Sequence, residues 1–163
     1  MIDFHIRFFT QLTKRILTIM EKNNYGHILN IGSTGSFIPS PSDAVYSATK
    51  AYIMSFSNAL YGEYRHTGIK ITLLCPGATK TEFARKANIE QTLLFKVAVM
   101  KPEQVVKIAY PKIVRGKRLI IPGLYNKFLI FCSKIMPLNI TNKLTMIMIN
   151  NYCEEGDDIF LNQ

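Results

Sequence analysis

Three segments between Gly26 and Glu82 decide the fold of this chain. Residues 26–33 read GHILNIGS, residues 46–50 read YSATK, and residues 69–77 read IKITLLCPG. The first and third segments are short apolar runs that end in turn residues, which is typical of buried strands in a parallel sheet. The second segment opens a long helical pattern that ends near Gly68. The order strand, helix, strand predicts an α/β protein with a parallel sheet.

Tyr46 and Lys50 form the most informative pair of the helical segment. Residues four apart lie on one face of a helix, so the Lys50 ammonium can reach the Tyr46 phenol. A free tyrosine has a pKa of about 10, and a neighbouring positive charge lowers that pKa. We therefore expect Lys50 to prepare Tyr46 for proton exchange with an alcohol or carbonyl oxygen. The pair alone is a weak signal, because a chain with eight tyrosines contains such a spacing about once by chance.

The positions of Ser33 and Pro76-Gly77 strengthen this interpretation. Each follows a predicted strand, and ligands of parallel α/β sheets bind at the carboxyl ends of the strands. The helix that carries Tyr46 begins at the same edge. Phe37 to Pro39 follow the Gly32–Gly35 turn where a phosphate-binding loop would start a helix, so we reject a phosphate loop there. Ser33 therefore remains as a hydroxyl group at the same sheet edge as Tyr46.

These motifs resemble those of the short-chain dehydrogenase/reductase family. The matching residues are Ser33, Tyr46 with Lys50, and the segment Pro76-Gly77-Ala78-Thr79-Lys80-Thr81. The resemblance covers at least residues 1–83 and implies part of a Rossmann-type, doubly wound parallel sheet. It further implies NAD or NADP as cofactor and hydride transfer between the nicotinamide and a small carbonyl or alcohol substrate.

The resemblance also implies a role for each matching residue. Tyr46 would be the acid/base, Lys50 would tune it and contact the nicotinamide ribose, and Ser33 would anchor the substrate. Among the cofactor contacts, Pro76 and Gly77 would turn over the nicotinamide, Thr81 would bind its carboxamide, and Thr79 would be a weaker candidate for the pyrophosphate. His5 stands where the family has a proton-relay asparagine. A surface or dimer-face histidine is an equally good interpretation of His5.

One family motif is absent from the sequence. No glycines here have the Gly-x-x-x-Gly-x-Gly spacing that opens the family's dinucleotide-binding half. We expect the missing half to come from upstream of Met1 or from a partner chain, and the isolated chain to have weak activity or none. The alternative is a non-catalytic remnant of the family that dimerises or binds a membrane surface.

Two helical patterns in the first half bear on assembly. Residues 2–22 place Phe4, Phe8, Leu12 and Ile16 on one stripe. In the second pattern, capped by residues of the Ser40–Asp43 segment, a stripe of small residues permits another helix to approach closely. Its members are Ala44, Ala48, Ala51, Ser55 and Ala59. The resemblance implies that these two helices form a dimer interface. Packing on the sheet is the other interpretation, and both can be true of different faces.

The remainder divides at residue 122. We expect residues 1–122 to form the partial catalytic domain, with a variable lid at 83–100 (Phe83, Leu93, Leu94, Phe95 and Val97), a helix from Pro102 to about Arg115, and a last strand at Leu119–Ile121. Residues 123–163 would be a tail of two apolar helices broken at Pro137, with an acidic end at 154–158. The helices either pack on the domain, which we favour, or lie in a membrane interface over residues 123–150.

Composition limits the other functions. The net charge of +9 suits an anionic cofactor, and no nucleic-acid motif accompanies it, so we predict no nucleic-acid partner. Cys75, Cys132 and Cys153 are far apart and lack metal-type spacing, so we predict no metal site. Free thiols, charged residues within the first 15 positions and the lack of a long apolar run favour a cytoplasmic location with membrane association as an alternative.

Overall fold

Helices and strands alternate along the part of the chain that the structure describes. The computed structural model describes residues 1–41, 43–82, 84, 92, 95 and 99–149. A π-helical segment, Asp3–Phe8, leads directly into the first α-helix, and a short 3-10 turn spans Thr34–Ser36. The regular elements are α1 (Phe9–Asn23), β1 (Gly26–Ile31), α2 (Ala44–Tyr64), β2 (Ile69–Leu74), α3 (Pro102–Val114), β3 (Leu119–Ile120), α4 (Leu124–Ile135) and α5 (Leu138–Ile149).

Within the described residues, three parallel strands form one sheet in the order β1-β2-β3. The register pairs Gly26 with Ile69 through to Ile31 with Leu74, and Leu74 with Ile120. The central strand β2 holds the core, because helices cover its faces and a strand flanks each edge. This arrangement confirms the predicted parallel α/β sheet of Rossmann type.

The first strand is less buried than its sequence predicted. Leu29 and Ile31 are 40% and 46% exposed, although the apolar run favoured a strand buried on both faces. Both side chains point to the same face of β1, and their exposure shows that this face is left uncovered. The buried residue in the second half of β1 is Asn30, which is polar. The Asn30 side-chain amide donates to the Ser57 hydroxyl at 2.9 Å, and that hydroxyl donates to the Ile53 carbonyl at 2.6 Å.

The predicted N-terminal helix is present, but its apolar stripe faces outward. Phe4, Phe8 and Leu12 are exposed, and the two phenyl rings stack on each other with centroids 5.7 Å apart. The face that packs inward carries Thr13 and Leu17, and Leu17 joins a cluster with residues of α2 and β2. Leu17 lies on a different face of the helix from the stripe. When Leu17 faces the core, the stripe therefore points away from the core.

The small-residue stripe of α2 also lies on the outside. Ala44, Ala48, Ser55 and Ala59 are exposed and Ala51 is half-buried, so packing of this stripe on the sheet was the wrong alternative. The face turned to the sheet carries Ile53, Ser57 and Leu60 instead. The helix ends at Tyr64, four residues before the Gly68 near which its end was predicted. Ser42, one of the cap candidates, lies outside the described residues.

The second half follows the predicted element order. The helix after Lys101 begins at Pro102 and ends at Val114, and Gly116 adopts a φ of +68° that favours glycine. The two C-terminal helices break at Pro137 as predicted. Of the predicted lid, Phe83, Leu93, Leu94 and Val97 lie outside the described residues, as does the acidic segment 154–158. None of the described helices is long and apolar enough to cross a membrane.

Replacing Ser57 by alanine tests the bond between β1 and α2. The change leaves the Asn30 amide, which is 4% exposed, without its acceptor. An unpaired buried donor costs about 1–3 kcal/mol, so we expect the free energy of unfolding to fall by that amount in urea titrations. Ser55→Ala, on the exposed face of the same helix, is the matched control. Equal stability of the two variants would contradict the proposed anchoring.

Candidate active site

The carboxyl edge of the sheet brings the predicted site segments together. The Gly32 amide donates to the Leu74 carbonyl at 2.8 Å, and the Thr34 amide donates to the Pro76 carbonyl at 2.9 Å. These bonds continue the pairing of β1 with β2 beyond the ends of both strands. The segment containing Ser33 therefore lies beside Pro76-Gly77, where the sequence placed it.

A local hydrogen-bond arrangement fixes Ser33. Its backbone is extended, its hydroxyl accepts from the Gly35 amide at 3.1 Å, and its own amide donates to the Ser36 hydroxyl at 3.2 Å. Beneath this turn lies Cys75, which is 0% exposed and interacts with the Ser33 backbone and the Ser36 side chain. Burial raises the pKa of the Cys75 thiol to about 11, so the thiol is neutral at physiological pH.

Tyr46 lies against Ser33 at the start of α2. The Tyr46 side chain hydrogen bonds with that of Ser33. Gly35 borders both groups, because a Cβ atom built on Gly35 would lie 3.6 Å from Ser33 Oγ and 3.7 Å from Tyr46 Cε1. The two hydroxyls can therefore contact the same oxygen of a bound molecule.

The pKa of Tyr46 shifts in the direction opposite to the prediction. Burial raises the pKa of the phenol, and the nearby Asp43 carboxylate adds to the rise. The hydrogen bond with Ser33 opposes the rise, whereas Lys50 is not among its causes. The expectation that Lys50 lowers this pKa was therefore wrong for the protein alone, because burial of the phenol is the largest cause and the neighbouring ammonium is not among the causes.

Lys50 nevertheless lies on the same helix face as Tyr46, as its spacing indicated. Its Nζ is 5.5 Å from the centroid of the Tyr46 ring and donates to the Ile31 carbonyl at 3.3 Å. Burial lowers the pKa of Lys50. The carbonyl at the end of β1 thus holds the ammonium over the Tyr46 ring.

His5 reaches the same region from the π-helical segment. Its Nδ1 is 3.2 Å from the Thr49 hydroxyl, which in turn donates to the Tyr46 carbonyl at 2.8 Å. Because the Thr49 proton is committed, we assign Nδ1–H of His5 as the donor. Burial, followed by the charge of Lys50, lowers the pKa of His5. His5 is thus half-buried and bonded to Thr49, and its role as a relay residue stays a prediction.

The threonines of the following loop bond locally. The Thr79 hydroxyl donates to the Gly77 carbonyl at 3.0 Å. The Thr81 hydroxyl donates to the Thr79 carbonyl at 3.4 Å and accepts from the Ala84 amide at 3.3 Å. Thr79 and Thr81 therefore shape the segment after the Pro76-Gly77 turn, and their assignment as cofactor contacts stays a prediction.

Asn126 is a site neighbour that sequence reasoning missed. It is 3% exposed, and its amide donates to the Pro122 carbonyl at 2.7 Å. A Cβ atom on Gly77 would lie 2.3 Å from Asn126 Oδ1, so the asparagine packs directly against the Pro76-Gly77 turn. The one signal in the sequence is a polar residue on the inward face of an otherwise apolar helix.

A cavity of about 560 Å³ adjoins the site at Gly35. It is lined by residues 35–41, by the α2 residues Ala44 and Ala48, and by Asn142 of α5. The alanines lie on the face of α2 opposite to Tyr46, so this cavity and the hydroxyl pair do not share a helix face. Among the described residues, no three His, Cys, Asp or Glu side chains are grouped so that they could hold a metal ion.

The fold and the hydroxyl pair define an α/β protein with a Ser, Tyr and Lys site at the carboxyl edge of a parallel sheet. The family model described as short chain dehydrogenase matches residues 1–92. The chain therefore belongs to the short-chain dehydrogenase family.

Individual comparisons agree with this assignment. An uncharacterized short-chain type dehydrogenase/reductase of Sinorhizobium fredii is 40% identical over 112 residues, which cover 66% of this chain and 45% of that protein. A short-chain dehydrogenase from Sphingobium yanoikuyae, solved in complex with NADPH, matches with a TM-score of 0.68 at 29% identity. The matched region covers 76% of this chain and 48% of that protein's chain. A 7beta-hydroxysteroid dehydrogenase structure matches with a TM-score of 0.76 and 24% identity, over 89% of this chain and 57% of that protein's chain. At this identity the match supports the fold alone. The chain spans less than half the length of the curated relatives it matches.

Replacing Gly77 by alanine tests the contact between the turn and Asn126. The added Cβ collides with the Asn126 amide, so we expect a loss of about 1–3 kcal/mol in the free energy of unfolding. The matched control is Gly62→Ala in α2, where a Cβ meets nothing within 4 Å, and which should gain about 0.5–1 kcal/mol. In the double variant Gly77→Ala/Asn126→Ala the collision is removed. Its loss in the free energy of unfolding should therefore be smaller than the sum of the losses of the two single variants. Full additivity of the two changes would contradict the contact.

Proposed function

We propose that this chain is the catalytic portion of an NAD- or NADP-dependent oxidoreductase that interconverts a small carbonyl compound and the corresponding alcohol. The observation that carries the proposal is the pairing of the Ser33 and Tyr46 hydroxyls at the carboxyl edge of the sheet, with the Lys50 ammonium 5.5 Å from the Tyr46 ring. The solved relative in complex with NADPH supports the choice of cofactor. When bound, the nicotinamide would supply or accept the hydride.

The state of Tyr46 favours the reducing direction. Burial keeps the phenol protonated at neutral pH, and a protonated phenol can donate to a carbonyl oxygen as negative charge develops on it. Ser33, with its amide and hydroxyl held by Ser36 and Gly35, would hold that oxygen in place. In the oxidising direction the phenol must first lose its proton, and an ammonium that moves from the Ile31 carbonyl toward the phenol would favour that loss.

His5 and Lys50 form the inner end of the site. The chain His5, Thr49 and the Tyr46 carbonyl joins the π-helical segment to the first turn of α2. We assign His5 a positioning role toward Lys50, with proton relay through its imidazole as part of the proposal.

The donors present here suit one end of a dinucleotide. Lys50 and Tyr46 would contact the nicotinamide ribose, and Pro76, Gly77, Thr79 and Thr81 would border the nicotinamide and the adjoining phosphate. No Gly-x-x-x-Gly-x-Gly segment occurs in residues 1–163, so these residues account for the nicotinamide end alone. We expect weak cofactor affinity from this polypeptide by itself.

A second candidate function is a non-catalytic remnant of the family that dimerises or binds a membrane surface. The observation that favours it is the exposure of Ser55 and Ala59, the part of the small-residue stripe on α2 that does not line the cavity beside α5. In this proposal the chain keeps the fold of its catalytic relatives over residues 1–122 and uses it as a scaffold.

Cofactor titration separates the two candidates. NADPH and NADH are added to the purified chain, and nucleotide fluorescence is followed up to millimolar concentration. Saturable enhancement supports the oxidoreductase, whereas a flat response for both nucleotides favours the remnant. Lys50→Met is the matched variant, because it removes the proposed ribose contact and should weaken binding at least about fivefold.

Replacing Tyr46 by phenylalanine tests the proton donor. We expect reduction of aldehydes and ketones to fall at least about a hundredfold, because the proton-transfer group is lost, while cofactor affinity stays within about threefold. NADPH oxidation gives the rate, and fluorescence titration gives the affinity. Tyr61→Phe in the same helix is the control and should retain full activity. Unchanged turnover in Tyr46→Phe would remove Tyr46 from the mechanism.

The raised pKa of Tyr46 predicts opposite pH profiles for the two directions. Reduction needs the protonated phenol, so its kcat/KM should be flat between about pH 6 and pH 9 and should fall only above about pH 10. Oxidation needs the phenolate, so its rate should rise about tenfold per pH unit over the same range. Initial rates in both directions provide the test. A reduction rate that declines between about pH 7 and pH 8 would contradict a raised pKa.

A further inference from the structure

The two C-terminal helices carry large apolar side chains that point away from the protein. On α4 the exposed residues Leu124, Phe128, Phe131 and Ile135 follow one another at intervals of four, three and four positions, so they share one helix face. Phe128 and Phe131 are both 62% exposed. On α5, Ile140, Leu144 and Ile147 repeat the pattern. We call these seven residues the outer apolar surface.

Inward contacts account for the opposite faces of the same helices. Asn126, Ile130 and Thr141 are buried, so α4 and α5 are docked on the protein by their other sides. The exposure of the outer apolar surface is therefore not the result of an undocked segment.

The charges beside this surface have one sign. Lys127, Lys134 and Lys143 are exposed, each directly preceding a member of the outer apolar surface or lying within one turn of one. No Asp or Glu occurs between residues 124 and 149, and the next carboxylate in the sequence is Glu154. The Nζ atom of Lys134 also lies 5.8 Å from the centroid of the Phe37 ring. A partner for this face needs an apolar layer and negative charge.

We propose that α4 and α5 bind an anionic lipid surface, with the outer apolar surface in the acyl boundary and the lysines at the headgroups. Helices with an aromatic apolar face bordered by lysines lie in the plane of such an interface. Each described helix has 12 residues and is about 18 Å long, too short to span a bilayer, so the contact is peripheral. A second copy of the chain fits less well, because a two-fold interface would bring the same lysines of both copies to one patch. The proposal specifies the membrane-binding form of the second candidate function and does not depend on the oxidoreductase function.

Co-sedimentation with vesicles tests the proposal on the full chain. The wild type should bind vesicles of phosphatidylcholine and phosphatidylserine in a 7:3 ratio at least about fivefold more strongly than pure phosphatidylcholine vesicles, and binding should weaken as salt is added. The variant F128E/F131E should lower the partition coefficient at least about tenfold. Since both side chains are exposed, far-UV circular dichroism and the unfolding temperature should be unchanged.

Two further variants locate and classify the interaction. V106E/Y110E makes the same charge change at exposed apolar residues of α3, and it should bind like the wild type. K127E/K134E/K143E should remove the preference for phosphatidylserine. The proposal is overturned if the wild type binds neither vesicle, if V106E/Y110E loses as much as F128E/F131E, or if F128E/F131E instead converts a dimer into a monomer in analytical ultracentrifugation. Cofactor titration of F128E/F131E, which should match the wild type, keeps this result separate from the fate of the proposed function.

Discussion

The hydrogen bonds that extend β1–β2 pairing past the ends of the strands are the constraint on which this site depends. Two parallel strands by themselves align only their own residues. Here the Gly32 amide bonds to the Leu74 carbonyl and the Thr34 amide bonds to the Pro76 carbonyl, so the two turns are held in register as well. The serine between those two amides is thereby fixed against the proline turn. Cys75, buried beneath it, fills the space that any looser arrangement would leave empty.

Burial and the nearby Asp43 carboxylate act in the same direction on the tyrosine, and the hydrogen bond with Ser33 opposes them. Burial and the carboxylate both favour a neutral phenol, while the Lys50 ammonium donates to the Ile31 carbonyl. The result is a proton donor at neutral pH and a base only when its surroundings change. Such a balance suits a site whose second reactant, once bound, would alter both the solvation of the phenol and the position of the ammonium.

Several apolar or small-residue faces point outward in the described part of the chain, and three of them differ clearly in chemistry. The stripe of α2 is small and uncharged, which suits close approach of another helix. The stripe beginning at Phe4 is aromatic and lies on the first helical segment. The outer apolar surface of α4 and α5 is the one bordered by lysines alone. Charge pattern, and not apolar area, therefore distinguishes the surface we assign to lipid from the surfaces suited to protein contacts.

The sequence by itself determined the element order, the parallel sheet, the edge on which Ser33, Tyr46 and Pro76 meet, and the family. These features follow from local periodicity and from residue types at fixed spacing, which a linear pattern records. The sequence did not determine which face of each helix is buried. The stripe beginning at Phe4 and the alanine stripe of α2 have the same periodicity whether they face inward or outward. It also did not determine the direction of the Tyr46 pKa shift or the role of Asn126. Those depend on burial and on contacts between residues as far apart as Gly77 and Asn126, which exist only once the chain has folded.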